Sequence, residues 1–372
     1  MKKNKKLQLA TIFSGIWAIE QAFKRLNLEH DIVFSCDNWN IELDIDHEKE
    51  FNNVKKLKTS VEKNNYVRNL YKENTRKTNF VEISYLHNYK LKKDNFFYDI
   101  KLLDGSDFEN KVDFLVWGSP CQSFSVIGSK GGFEDTRGTL FYEFARMVKE
   151  VQPKVFIYEN VFWILRHDKW KTWEVMQNVF DELWYHYKFK VMDSRDYWIP
   201  QWRRRVFVVW FKNENKSNKF NFPQPINLNI TMQDFLLENI KDWGILSKKW
   251  KLHISKEHGW EKVDEKYFLS EKLKNYVMSP WTKGFMHKPK IDLEIARALL
   301  ASMWNTHRSS VNNYVTTDWR IRALHPRETH RLMGFPDDYE IIVSKAQAYK
   351  QSWNSIVVDV LINLLKEILK VL

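Results

Sequence analysis

The chain has 372 residues, 44% of them hydrophobic, enough to bury a large domain with a smaller one beside it and too apolar for a disordered chain. Lys and Arg number 59 against 47 Asp and Glu, and the net charge of +12 favours a polyanionic partner such as nucleic acid, although a lysine-biased genome would give the same balance. Two cysteines, Cys36 and Cys121, exclude a disulfide framework and a cysteine metal quartet. No apolar run approaches the roughly 18 residues of a membrane span, and the charged start Met1-Lys2-Lys3-Asn4-Lys5-Lys6 makes a poor signal peptide, so a soluble cytoplasmic protein without membrane contacts is expected.

Through residue 211, apolar runs of strand length alternate with helical patterns, the order of a doubly wound, mostly parallel α/β sheet. Strands are predicted at residues 7–13, 32–35, 114–116, 155–158, 188–192 and 206–209, with helices at 19–26 and 140–151. A Lys- and Asn-rich stretch over about 52–95 is too long for an ordinary connection and reads as a partly helical insertion. Beyond Phe211 the chain turns polar, then basic and aromatic with weak periodicity, which marks a second, smaller domain over 212–342. Residues 343–372 return to the first domain through an amphipathic helix over 355–369, whose apolar face carries Ile356, Val357, Val360, Leu361, Leu364, Leu365 and Ile368.

One of the two cysteines sits directly after a predicted strand, in Gly118-Ser119-Pro120-Cys121-Gln122-Ser123-Phe124-Ser125. Doubly wound sheets bind ligands at the carboxyl ends of their strands, and a thiolate there is a strong nucleophile. A lone cysteine is more often a small buried hydrophobe; its place in a polar loop after a strand reverses that balance. Some forty residues on, Glu159-Asn160-Val161 ends another apolar strand, and a carboxyl group there is placed to donate a proton to whatever Cys121 attacks.

The order Pro120-Cys121-Gln122, Glu159-Asn160-Val161 and Gln201-Trp202-Arg203-Arg204-Arg205 resembles the DNA cytosine-5 methyltransferase family of bacterial and phage restriction-modification systems. Further blocks agree, in family order and across nearly the whole chain. They are Phe13-Ser14-Gly15-Ile16, Asp135-Thr136-Arg137-Gly138-Thr139, Arg322-Ala323-Leu324-His325-Pro326-Arg327-Glu328 with Arg331-Leu332-Met333-Gly334-Phe335-Pro336, and Gln351-Ser352-Trp353-Asn354-Ser355.

The resemblance implies an S-adenosyl-L-methionine-dependent, Rossmann-like catalytic domain with a target-recognition domain, acting on carbon 5 of cytosine in double-stranded DNA. Cys121 would add to carbon 6 of a flipped-out base and Glu159 would hold ring nitrogen 3, while Arg203 and Arg205 anchor base and phosphate. The cofactor would rest on Phe13, Ser14, Gly15, Ile16, Trp17 and Pro120, with Asp37 on the ribose hydroxyls, Asp99 near the adenine amino group, and Asn354 and Ser355 closing the site. A monomer is expected, with a cognate restriction endonuclease acting separately. An inactive DNA-binding relative, or a transfer RNA cytosine-5 methyltransferase, are the alternatives.

Seventeen tryptophans against eleven glycines invert the usual ratio, and ordinary proteins hold roughly 7% glycine. Trp17 stands where the family's cofactor loop has a second glycine, Trp353 where glycine precedes Asn354, and Trp117 where a paired glycine precedes Gly118. Trp198, Trp163, Trp210 and Trp319 also occupy glycine-like sites. One explanation is UGA codons read as glycine in the source organism, at least at Trp17, Trp117, Trp198 and Trp353; the other is a genuinely tryptophan-rich enzyme. Trp173, on a predicted helix, suits tryptophan.

Overall fold

A computed structural model describes residues 6–13, 15–16, 18–118, 140–237, 263–282, 285–286 and 288–372. The first half runs β1 (Leu7–Ile12), α1 (Ala18–Arg25), β2 (His30–Cys36), α2 (His47–Lys55), α3 (Ser60–Asn74), α4 (Phe80–Asn88), β3 (Phe96–Phe97), β4 (Phe114–Gly118), α5 (Leu140–Val151) and β5 (Val155–Val161). It continues through α6 (Lys171–Glu182), β6 (His186–Asp193), β7 (Gln201–Trp202) and β8 (Arg204–Phe211). Seven strands form one sheet in the order β3-β2-β1-β4-β5-β8-β6. Only β8 runs antiparallel to its neighbours.

The central strands β4, β5 and β8 are largely apolar because both faces of the sheet are covered there, whereas the edge strand β6 carries His186, Lys188 and Lys190. Alternation with period two divides their side chains between two cores. Leu9, Phe114, Val116, Val155, Ile157, Phe207 and Val209 face one side, where Phe23 of α1 and Leu361 and Leu365 of the last helix cover them. Ala10, Ile12, Leu115, Trp117, Phe156, Tyr158, Val206 and Val208 face the other, under Phe144 and Val148 of α5 and Met176 and Phe180 of α6.

The 52–95 insertion is almost wholly helical. Its α3 opens with a capping box in which Thr59 and Glu62 satisfy each other's backbone N–H groups, and Asn79 caps α4. A third apolar cluster, Ile41, Val54, Val67, Tyr71 and Leu102, fastens this helical group to the sheet edge.

The second half holds α7 (Glu214–Lys219), α8 (Glu271–Met278), the antiparallel pair β9 (Trp281–Thr282) and β10 (Phe285–Met286), β11 (Ala296–Arg297) beside β7, and the hairpin β12 (Tyr314–Thr317) and β13 (Arg320–Ala323). It ends in α9 (Pro326–Arg331), α10 (Lys345–Asn354) and α11 (Val358–Leu369). Met232, Phe235, Leu299, Val315 and Met333 join the core that α1 and α11 cover. The last helix starts at Val358, three residues later than its apolar pattern suggests. Among the described residues no helix is long and apolar enough to cross a membrane, and no cluster of His, Cys, Asp and Glu could hold a metal ion.

Candidate active site

The order of strands reverses between β1 and β4, and the crevice at a doubly wound sheet's reversal point is where such folds bind ligands. Thr11, Ile12, Phe13, Ala18, Ile19, Val116, Gly118, Asn354 and Ile356 line a small cleft there. A larger cavity of about 570 Å³ lies among Gln8, Asp31, Lys111, Asp113 and Lys154, at the opposite edge of the same strands.

Asp37, just past β2, organises the cleft's near wall. Its carboxylate accepts the Gly15 N–H at 2.9 Å and the Trp39 N–H at 2.7 Å, and its own carbonyl accepts from Asn79 at 2.7 Å. Burial pushes its pKa up to about 6, against those two backbone donors. Each carboxylate oxygen keeps a second lone pair, the acceptor a hydroxyl ligand needs. Gly15 has φ 55°, and a Cβ on it would lie 3.6 Å from the Asn354 carbonyl oxygen, so the first loop and the last block touch here. Asp99, past β3, caps the following turn through Lys101 N–H at 2.9 Å and accepts from Tyr71 at 3.3 Å. Two buried acids therefore stand at the carboxyl ends of adjacent strands. Phe13 follows β1 and meets Trp117 edge-on at 5.0 Å.

Across the reversal point, Gly118 and Glu159 are backbone partners on β4 and β5, and Val161 pairs with Arg205 on β8. Arg205 Nε lies 3.0 Å from Glu159 Oε1. Burial raises the Glu159 pKa, while Arg205 and Arg203 pull it back. Asn160, between them, ties the strand end by donating to Tyr158 and accepting from Val161 N–H, both at 2.7 Å.

Arg203 differs from the expectation of a base or phosphate anchor. It is buried, and its Nη2 donates to the carbonyls of Trp353 at 2.8 Å and Ser355 at 2.7 Å. Its Nε and Nη1 have no partner among the described residues, and burial, then Arg205, lower its pKa. Two of the expected cofactor residues turn their side chains elsewhere. The Ile16 side chain is wholly buried in the core, and the Ser355 hydroxyl donates to the Ile356 carbonyl at 3.0 Å; neither offers its side chain to the cleft. Cys121, Pro120, Ser14 and Trp17 lie outside the described residues, as do 135–139.

Sequence reasoning missed the residues that hold these walls together. Arg25 of α1 forms a two-pronged ion pair with Asp359 of α11 at 2.7 and 3.0 Å. Wholly buried Arg322 and Glu328 pair at 2.8 Å, and Glu328 also accepts the His325 and Leu237 N–H groups. Gln201 reaches the Leu332 carbonyl at 2.8 Å. Arg25 and Asp359, like Gln201 and Leu332, are too distant in sequence to leave a local signal, whereas Arg322 and Glu328 lie within one motif block that gives no sign of their pairing.

The sheet order and the cleft at its reversal point are those of an S-adenosylmethionine-dependent methyltransferase fold. The chain belongs to the C-5 cytosine-specific DNA methylase family, whose model matches residues 7–370. It is 34% identical over 249 residues to the Type II methyltransferase M.HhaI of Haemophilus parahaemolyticus, covering 67% of this chain and 73% of the relative. To M.NgoBI of Neisseria gonorrhoeae it is 36% identical over 270 residues, covering 71% and 76%. The S. pombe Dnmt2 methyltransferase structure superposes with a TM-score of 0.62 at 16% identity, over 98% of this chain and 99% of that one. A DNA modification methyltransferase encoded within an E. coli prophage superposes with a TM-score of 0.57 at 17% identity, over 98% and 100%. The protein is a DNA cytosine-5 methyltransferase that uses S-adenosylmethionine and acts on DNA.

Proposed function

We propose that the enzyme methylates a flipped-out cytosine within a specific duplex sequence through a covalent Cys121 adduct, with Glu159 as the acid that activates the ring. The observation that carries this reading is the buried Glu159–Arg205 pair at 3.0 Å, set beside Gly118 at the end of β4. Cys121 follows Gly118 by three residues, and three residues of chain span at most about 11 Å.

Carbon 5 of cytosine is a weak nucleophile until a group adds to carbon 6. The Cys121 thiolate adds there while Glu159, kept protonated to higher pH by burial, donates a hydrogen bond to nitrogen 3 and stabilises the electron-rich ring. S-adenosylmethionine supplies an electrophilic methyl group when bound. After carbon 5 takes the methyl group, its proton leaves to a base, the thiolate is expelled and the aromatic ring returns. Attack on the ring face requires the base to leave the stack. Arg205 orients Glu159, and Arg203 acts as a positioning residue that holds the Trp353 and Ser355 carbonyls.

For the cofactor, Asp37 would hold the ribose hydroxyls, Asp99 the adenine amino group, and Phe13, Gly15 and Asn354 the walls between them. Residues 212–342 form the recognition region, the protein works as a monomer, and a cognate endonuclease acts separately. Duplex DNA carrying 5-fluorocytosine in the target site tests the adduct, since fluorine cannot leave carbon 5 as a proton does. A denaturation-resistant complex that disappears in Cys121→Ser is expected; turnover by Cys121→Ser would overturn the mechanism. Bisulfite sequencing of DNA from expressing cells reads the target, and methylation of RNA in place of duplex DNA would overturn the substrate assignment.

A further inference from the structure

Left-handed backbone geometry recurs at tryptophan in this protein. Among the described residues φ is positive at Trp39, Trp170, Trp184, Trp198 and Trp319, whereas the glycines with positive φ are Gly15 and Gly334. A Cβ crowds the carbonyl oxygen in this region, so it is left to glycine and, less often, to Asn and Asp, whose side chains can bond the local backbone. Asn27, Asn40, Asn110, Asp168, Asp292 and Asp318 follow that rule here, and Phe13, Gln152 and Lys169 are the described residues besides tryptophan that depart from it. An indole has no such compensation.

The local settings are the ones that call for glycine. Asp318 and Trp319 form the two-residue loop between β12 and β13, where Thr317 pairs with Arg320, at φ 48° and 62°. This is the turn with positive φ at both central residues that favours Asp-Gly, and the Trp319 side chain is 98% exposed. Trp184 follows Leu183, the C-cap of α6, with φ 59° and its N–H on the Asp181 carbonyl at 3.3 Å. That is the position where helices end on a left-handed glycine, and the indole is 88% exposed. Trp39 and Asn40, at φ 53° and 57°, are the central pair of a turn closed by Ile41 N–H to the Asn38 carbonyl at 3.0 Å. Three turns thus have the form of glycine turns.

An aromatic surface for stacking nucleic-acid bases would account for the exposed rings but not for the positive φ values. Trp173 supplies the contrast: it lies inside α6, buried, against Phe180 and Phe189.

We propose that the protein in its own cell carries glycine at Trp39, Trp170, Trp184, Trp198 and Trp319, encoded by UGA codons that a dedicated glycine transfer RNA reads. The composition agrees in direction, because 11 glycines in 372 residues fall well below the ordinary share of roughly 7%. The same decoding at Trp17 returns the cofactor loop to the family's glycine pattern.

The gene and the protein from source cells test this directly. UGA is expected at the five positions, and peptides covering Trp184 and Trp319 are expected to be lighter by the difference between glycine and tryptophan. UGG codons at the five positions, or tryptophan in those peptides, overturn the proposal. In the recombinant chain, Trp184→Gly and Trp319→Gly should each raise the folded-to-unfolded ratio about threefold, the left-handed cost less glycine's entropy, while Trp173→Gly lowers it. A fall in that ratio for both exposed sites would overturn the turn assignment.

Discussion

The Arg203 guanidinium and the Ser355 carbonyl meet at 2.7 Å, and the same Nη2 holds the Trp353 carbonyl at 2.8 Å. This one nitrogen fixes residues 353–355 against the start of β8, with Asn354 between the two bonds and its carbonyl beside Gly15. Arg203→Ala would leave two buried carbonyls unsatisfied, a loss of about 3 kcal/mol, and should weaken S-adenosylmethionine binding because the far wall of the cleft loosens. Urea unfolding and calorimetric titration of the cofactor check this. Unchanged cofactor affinity in a destabilised variant would separate the clamp from the binding site.

Glu159→Gln should reduce turnover about 10²- to 10⁴-fold, the usual worth of a positioned acid, with little change in cofactor affinity. The pH profile is more diagnostic. Activity that needs the protonated carboxyl declines as pH rises through the Glu159 pKa. Arg205 lowers that pKa, so Arg205→Met should move the decline to higher pH whatever it does to the maximal rate. A decline at unchanged pH would place another group in control.

Glu20 of α1 is buried, accepts from Tyr85 at 3.0 Å, and its pKa is pushed from 4.5 up to about 8 by burial. Because the folded value is the higher one, the stability that the protonated form contributes is complete below pH 4.5 and is lost as pH rises toward 8. Glu20→Gln should remove this dependence and be the more stable protein at pH 9, by on the order of 3 kcal/mol. Unfolding midpoints at pH 5 and pH 9 give the test; parallel slopes for the two proteins would contradict it.

The middle of the sheet was legible because its central strands are apolar on both faces, so Phe114, Val155 and Val206 announce strands whatever lies between them. The amphipathic pattern of 140–151 matches α5 to the residue. β3 was not legible, since Phe96 and Phe97 are two residues in a polar stretch. The last helix begins at 358 in place of 355 because Arg203 claims the carbonyls of 353 and 355, a contact across 150 residues of sequence. Glu159 and Arg205 could be named from motif order, but Arg203's burial could not. The tryptophans divide in the same way. Sequence reading notices those that interrupt a motif, such as Trp117 and Trp353, yet Trp117 lies buried in the sheet and Trp353 within α10. Backbone geometry instead selects Trp39, Trp170 and Trp184, which lie outside any motif, and agrees with the sequence at Trp198 and Trp319.

Gly334 marks the place where the motif block, α1 and α11 converge. Its φ is 81°, its carbonyl accepts from Arg25 at 2.9 Å, and a Cβ on it would collide with Asp359 Oδ2 while lying 3.0 Å from Val358 Cβ. Gly334→Ala therefore adds left-handed strain and displaces the carboxylate that Arg25 grips, a combined loss of about 3 kcal/mol. Asp359→Ala alone strands the buried Arg25 charge and should cost a similar amount. Together the two changes should cost clearly less than their sum, because the alanine at 334 no longer meets the carboxylate and the ion pair is lost only once. Equilibrium unfolding of the three variants measures this coupling, and strict additivity would mean that the two residues act independently.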